Sequence, residues 1–382
     1  MTSKRIGEFL TVNQPRTPYL VIDLDIIRER YLELQRAFPD TKIYYSVKAN
    51  HAPEVIRALA GLGAAFDVAS PGQISLCLAE GVPPESISYG NTIKKPDDIA
   101  FAYEHGVTLF TTDSLADIAA IASRAPGSRI FCRVTIEQAG AAFPLGLKFG
   151  CRPDTAVALL AKAASLGLNT RGVSFHVGSQ QTDPAAWVRG ISVAAEIGDR
   201  LGAAGIELPE LNLGGGLPVG YRDAVPDIAD FAGEIITAVR RQFPSPPRLV
   251  IEPGRVLVAD SGVIRAQVVM VTRKSEGDER RWVYLDVGRH NGLAETIDEV
   301  IAYRLSTRYS DSEPSGPVTL AGPTCDGCDV LYESTPCRLP LALKAGDYVD
   351  VLSAGAYTAV FSTAFFNGFP ALPTYCIGDT RP

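Results

Sequence analysis

Nowhere in this 382-residue chain do apolar residues run on for the roughly 20 positions a membrane-spanning helix needs, so no membrane partner is expected. The opening stretch, MTSKRIGEFLTVNQPRTPY, lacks the apolar core of a secretory signal, which predicts a cytoplasmic location. Basic residues are in the minority, 36 against 43 acidic ones, and a net charge of −7 offers no cationic surface for nucleic acid. Internal repeats and low-complexity tracts are missing, which excludes a solenoid. Cysteine is scattered, and its count of seven is odd, so reduced thiols are expected in place of a disulfide framework.

What is present is an ordinary globular composition, 46% apolar and 21% charged, with length enough for one large domain and a smaller one. Between residues 42 and 254, short β-branched runs alternate with stretches of helical period, the pattern of βα units around a parallel sheet. Eight strands are predicted, over 43–47, 66–69, 86–89, 109–112, 129–134, 172–177, 210–213 and 249–251. Several of the helices between them open on Ser, Asp or Pro, as helix starts prefer. Eight such units favour a (β/α)8 TIM-type barrel over an open doubly wound sheet. After Gly254 the texture changes to strands broken by Gly, Pro and charged turns, the first predicted over Val256–Val271. The expected division is a barrel over residues 19–255 and a mostly antiparallel β domain over 256–382, joined by about the first 18 residues.

Polar residues and glycines collect just after the predicted strands, at the rim where barrels build their sites. The first strand ends at Lys48, the second at Asp67, the sixth at His176 to Ser179, the seventh at Gly214-Gly215-Gly216 and the eighth at Glu252-Pro253-Gly254-Arg255. A lysine at the end of the apolar strand IYYSV is expected to be poorly solvated. Desolvation would lower its pKa from about 10.4 and free a neutral amine for Schiff-base chemistry. A lone lysine of this kind more often snorkels into solvent, and only its company at the rim argues for chemistry. The three glycines either make a flexible turn or leave backbone N–H groups open to an anion, and after strand seven of a barrel they suit a phosphate. Glu252 and Arg255 flank a Pro-Gly turn, either as a mutual ion pair or as a carboxylate facing a pyridine nitrogen with a guanidinium beside it. His176 suits stacking on a flat cofactor, with Ser179 donating to its phosphate.

In the β domain a loop carries Cys325-Asp326-Gly327-Cys328. No second Cys or His pair follows at metal spacing, so no metal is expected. Cys325 is read as proton donor to a carbanion, and Asp326 as the anchor for a distal ammonium.

Eleven motifs occur in order: YYSVKAN (44–50), AFDVAS (65–70), ISYGNTIKK (87–95), LKFGC (147–151), SFHVGSQQTD (174–183), NLGGGLP (212–218), IEPGR (251–255), GLAETIDE (292–299), AGPTCDG (321–327), GAYT (355–358) and FFNGFP (365–370). Together they resemble the pyridoxal-phosphate decarboxylases with an alanine-racemase-like barrel (fold type III), most nearly the bacterial ornithine decarboxylases, over nearly the whole chain. The resemblance implies pyridoxal 5′-phosphate held covalently by Lys48, with His176 on its ring, Glu252 at its pyridine nitrogen, and Asp67 and Gly254 beside it. It gives Ser179, Gly215, Gly216, Arg255 and Tyr357 to the phosphate. It makes Cys325 the proton donor at Cα, sets Asp326 on the substrate's distal amine, takes a second carboxylate from Glu299 or its neighbour Asp298, and lays Phe366 against the substrate. In that family two subunits share each site, so a homodimer is implied, with Lys148 and Asp329 matching a cross-subunit ion pair. Eukaryotic ornithine decarboxylases carry an arginine shortly before the Lys-Phe-Gly motif where this chain has Pro144, and the bacterial branch resembles it there.

The implied activity is decarboxylation of a basic L-amino acid, ornithine to putrescine in polyamine biosynthesis, with lysine to cadaverine second. The alternatives are another substrate (diaminopimelate, arginine, a D-amino acid or a secondary-metabolite precursor) or a non-catalytic protein that binds the cofactor. Diaminopimelate decarboxylases usually read Cys-Glu-Ser where this chain has Cys325-Asp326-Gly327, and non-catalytic binders resemble the barrel alone.

Overall fold

In the computed structural model, which describes residues 3–146, 148–309 and 312–379, eight parallel strands close into a barrel. Leu147, the first residue of the LKFGC motif, lies outside the described residues. In chain order the strands are β1 (Lys42–Ser46), β2 (Ala65–Val68), β3 (Ile87–Tyr89), β4 (Leu109–Thr112), β5 (Arg129–Arg133), β6 (Asn169–Ser174), β7 (Glu210–Asn212) and β8 (Arg248–Ile251). Val250↔Lys42 and Ile251↔Ile43 pair β8 with β1 and complete the ring. All eight predicted strands are present, the largest displacement being that of β6, which ends at Ser174 and leaves Phe175–Val177 to the rim loop.

Local chemistry explains the alternation. Pro53, Pro71, Pro96 and Pro153 each open a helix, where the missing N–H has no bond to lose. Ser70 and Ser114 cap two helices by accepting from the backbone N–H groups of Gln73 and Asp117. Inside the ring Tyr44, Ala65, Leu109, Phe131 and Val250 form one buried cluster. A barrel filled in this way leaves its polar groups to the rim.

The chain divides into two compact units, one of Arg28–Pro218 with Val225–Val256, which holds the barrel, and one of Met1–Ile27, Val219–Ala224 and Leu257–Thr380. In the second, the strand Gly262–Thr272 pairs antiparallel with Tyr19–Asp23, Arg281–Leu285 and Tyr348–Leu352. Two pairings in this mostly antiparallel sheet are parallel, Tyr19–Asp23 with Thr374–Ile377 and Arg281–Leu285 with Ser315–Ala321. The helix Lys4–Val12 lays Ile6 and Leu10 on Tyr19, Val21 and Val263, which ties the N-terminal segment to this unit.

The strand predicted from Val256 begins only at Gly262, because Arg255–Val258 form a helical turn and Ala259–Ser261 a 3-10 turn. Buried β-branched residues read alike in a turn and in a strand. The backbone of Gly355 passes so close to Gly262 that a Cβ there would lie 2.3 Å from Gly355 Cα. Among the described residues no helix is long and apolar enough to cross a membrane.

Candidate active site

Ser46 ends β1, and Val47–Ala49 turn as a 3-10 segment that carries Lys48 off the strand. Val47 and Ala49 are buried, but Lys48 is exposed, so the poorly solvated lysine expected from the apolar strand is not what the structure holds. The turn, one residue past the strand, presents it to the barrel mouth.

The groups around that mouth are the desolvated ones. Asp67 on β2 accepts from Ser46 Oγ at 3.1 Å through Oδ2, while its buried Oδ1 has no hydrogen-bond partner. Burial, and next the charge of Glu252, push Asp67 up to about 7, against the pull of Lys48 and the Ser46 bond. Glu252, just past β8, accepts from Asn212 Nδ2 at 2.6 Å. His176, in the loop after β6, accepts from the Gly178 N–H at Nδ1 over 3.0 Å, which leaves the proton of the neutral ring on Nε2. Burial, then the cations Arg133 and Lys48, hold its pKa well below 6.5.

Arg133, Asn212 and Ser46 escape the sequence reading. Arg133 ends β5, its guanidinium 4.9 Å from the Phe149 ring. Burial lowers its pKa, while the charges of Glu252, Asp67 and Asp113 oppose the shift. The signal that finds it is positional, since it occupies on strand five the place that rim residues occupy on strands one, two and eight.

On the phosphate side, Gly214 and Gly216 have φ of +66° and +106°. A Cβ on Gly215 would lie 2.6 Å from Glu252 O, and one on Gly216 2.3 Å from Gly178 O. Only glycine lets this turn pass so close to its neighbours. Arg255, 4% exposed, reaches Ser179 Oγ with Nη2 at 3.4 Å, and Gly254 is buried beside it. Phe143, 6.0 Å from that guanidinium, is brought there by an unpredicted strand pair, Ala141–Phe143 with Ser179–Gln181.

The β unit holds a second set. Cys325 and Cys328 are free, exposed thiols, and the Cys325 N–H donates to Asn367 Oδ1 at 2.8 Å. Asp326 Oδ1 accepts from the Cys328 N–H at 2.9 Å and Oδ2 meets His290 Nε2 at 2.8 Å, two bonds that hold its pKa below the usual carboxylate value. The His290 ring lies 4.6 Å from that of Phe366. Tyr357, with φ +55°, stacks on Phe361 at 5.8 Å.

Two carboxylates are engaged by nearby backbone. Asp329 is 2% exposed and spends Oδ1 on the Arg289 N–H and Oδ2 on the N–H and hydroxyl of Thr324, so it pins its own loop, while Lys148 is exposed. Glu299 accepts from the N–H groups of Glu333 and Ser334 at 2.7 Å and also from that of Thr335. Burial pushes Glu299 up, but the bonds to Ser334, Thr335 and Glu333 outweigh it and bring it down to about 2. Glu299 is thus consumed by residues 333–335, whereas neighbouring Asp298 is exposed at φ +51°.

A lysine, two rim carboxylates, a neutral imidazole and a glycine-lined cradle on one barrel match the pyridoxal-binding domain of the pyridoxal-dependent decarboxylases, whose model covers residues 24–259. The chain belongs to that family. A lysine/ornithine decarboxylase of Selenomonas ruminantium is 33% identical to this decarboxylase over 364 residues, 95% of this chain and 90% of that one. Two solved structures superpose with TM-scores of 0.89. One is the lysine/ornithine decarboxylase of Vibrio vulnificus complexed with cadaverine, at 30% identity over 99% of this chain and 100% of that one. The other is the arginine decarboxylase of Paramecium bursaria Chlorella virus, at 29% identity over 98% and 100%. The decarboxylase is a pyridoxal-phosphate-dependent carboxy-lyase. Its rim suits that cofactor on structural grounds: the cradle would be filled by any Cβ, and a buried carboxylate oxygen of Asp67 waits for a partner.

Proposed function

We propose that this decarboxylase converts a basic L-amino acid to its diamine, ornithine to putrescine first and lysine to cadaverine second, as a cytoplasmic step of polyamine formation. Asp326 carries the reading. Its carboxylate is kept ionised by Cys328 and His290, and it adjoins the exposed thiol of Cys325. A carboxylate anchor rewards a distal ammonium and rejects analogues that lack it. Asp298, whose neighbour Glu299 is occupied, is the second anchor, and Phe366 packs against the substrate chain.

Bound pyridoxal phosphate supplies an electron sink for the carbanion left when CO2 departs. Lys48, Asp67, His176, Glu252 and Gly254 would hold it at the rim, and Ser179, Gly215, Gly216, Arg255 and Tyr357 at its phosphate. Asn212 keeps Glu252 an acceptor, and Cys325 Sγ delivers the proton to Cα. We assign the two sets to one site shared across a homodimer, because the barrel set has the amine and no acid thiol, and the β set has the thiol and no amine.

The test is CO2 release by the holoenzyme from both enantiomers of ornithine, lysine and arginine and from diaminopimelate. Highest kcat/KM with L-ornithine, then L-lysine, is expected. A preference for arginine, the substrate named for one structural relative, would overturn the assignment, and CO2 from none would leave a cofactor-binding protein.

A further inference from the structure

The β unit contains a buried positive charge without a counter-charge. Arg281 opens the strand Arg281–Leu285 and is 6% exposed. Its guanidinium donates from Nη2 to Leu339 O at 2.8 Å and from Nη1 to Leu341 O at 3.4 Å, and its buried Nε has no hydrogen-bond partner among the described residues. Burial lowers its pKa, and the second guanidinium of Arg273 lowers it further, with no carboxylate acting in the other direction. Buried charges are ordinarily paired, because taking one out of water is costly. Here, among the described residues, the charge that acts on it is that of Arg273 and has the same sign.

Both arginines line one cavity of about 500 Å³, bounded by Val271–Glu276 and Arg281. Lys274 also lines it, but its Nζ donates to Tyr284 OH at 2.7 Å and lies 4.7 Å from the Trp282 ring, on the strand face opposite Arg281. Glu276 is the single acid among the lining residues, against Arg273, Lys274 and Arg281. An anion in this cavity would meet exposed Arg273 and, behind it, the buried charge of Arg281. None of these residues belongs to the cofactor cradle or to the Cys325 loop.

We propose that this cavity is a second anion site, built for a phosphate-class ligand, in which Arg273 binds from the open side, Arg281 supplies the buried charge and Lys274 adds positive charge at the edge. Free phosphate and the phosphoryl group of a nucleotide present the same chemistry.

The test uses holoenzyme, so that the barrel cradle is already filled. Inorganic phosphate and, separately, AMP are titrated calorimetrically against sodium chloride at matched ionic strength. A saturable response to phosphate, AMP or both is expected, one equivalent per chain and weakened at least tenfold in the Arg273→Ala/Lys274→Ala double variant, whose decarboxylase turnover stays that of the parent. Tighter AMP binding would identify a phosphoryl group on a larger ligand, and phosphate alone a free anion. Arg281→Met should abolish the response, and where that variant fails to fold the double variant decides. Responses no different from chloride, or unchanged in the double variant, would overturn the site.

Discussion

Asn212 donates from Nδ2 to Glu252 Oε1 across 2.6 Å, and its orientation is fixed because Oδ1 accepts from the Gly214 N–H at 2.9 Å. Turning the amide over would set two donors against each other at Gly214 and two acceptors at Glu252. Glu252 therefore meets a donor on this side whatever else it binds, and the asparagine is a positioning residue. A hydrogen bond to a charged group contributes about 1.5–3 kcal/mol, so Asn212→Ala should lower kcat by roughly 10- to 100-fold and alter the pH profile with little change in KM. Steady-state kinetics across pH decide the matter. A parental kcat with an unchanged profile would reduce Asn212 to a packing residue.

Asp67 makes a pH prediction in the cofactor-free protein. Its carboxyl is pushed up to about 7 in the fold from the 3.8 of a free aspartate, so the folded state holds the proton more tightly. The stabilisation is full below about 4 and is lost as pH rises through about 7, by up to about 4 kcal/mol. Asp67→Asn does not titrate there. Its Tm relative to the parent should therefore rise from pH 5 to pH 8, and parallel Tm curves would contradict a buried carboxyl beside the charge of Glu252.

The barrel was legible because most of its strands carry a short apolar run, as parallel strands buried on both faces do. Rim residues that follow those runs, such as Lys48, Asp67 and Glu252, were legible for the same reason. Arg133 and Asn212 were hidden inside the runs, where a polar residue reads as a strand interruption. His290 and Asn367 could not be seen at all. They are 36 and 42 residues from the Asp326 and Cys325 groups they contact, and although Asn367 lies in the FFNGFP motif nothing in the sequence pairs it with Cys325, so only the fold brings them together. At Glu299 the sequence shows a carboxylate but not the three backbone donors it satisfies.

That last difference predicts a division of labour between neighbours. Glu299→Ala strips a charged acceptor from the N–H groups of Glu333, Ser334 and Thr335 and should cost about 1–3 kcal/mol in denaturant unfolding, with KM changed little in the folded enzyme. Asp298→Ala should leave stability within about 0.5 kcal/mol and raise KM for diamino acids. The reverse pattern would return the substrate role to Glu299.

Two lysines of the barrel unit separate structure from chemistry. Lys94 is fully buried, with Nζ at 2.9 Å from Asp117 Oδ2 and 2.8 Å from both Asn91 O and Thr111 O, so its amine is spent on the barrel wall. Lys48 is exposed at the mouth, and its charge reaches Asp67 and His176. Borohydride reduction of the holoenzyme followed by peptide mapping should therefore put the pyridoxyl label on Lys48 and leave Lys94 unmodified. Lys48→Ala should lose about 100-fold or more in kcat while keeping the parent's Tm without cofactor. Lys94→Ala should do the opposite, losing stability by leaving Asp117 buried and unpaired. Label on any other lysine would remove Lys48 from the centre of the site.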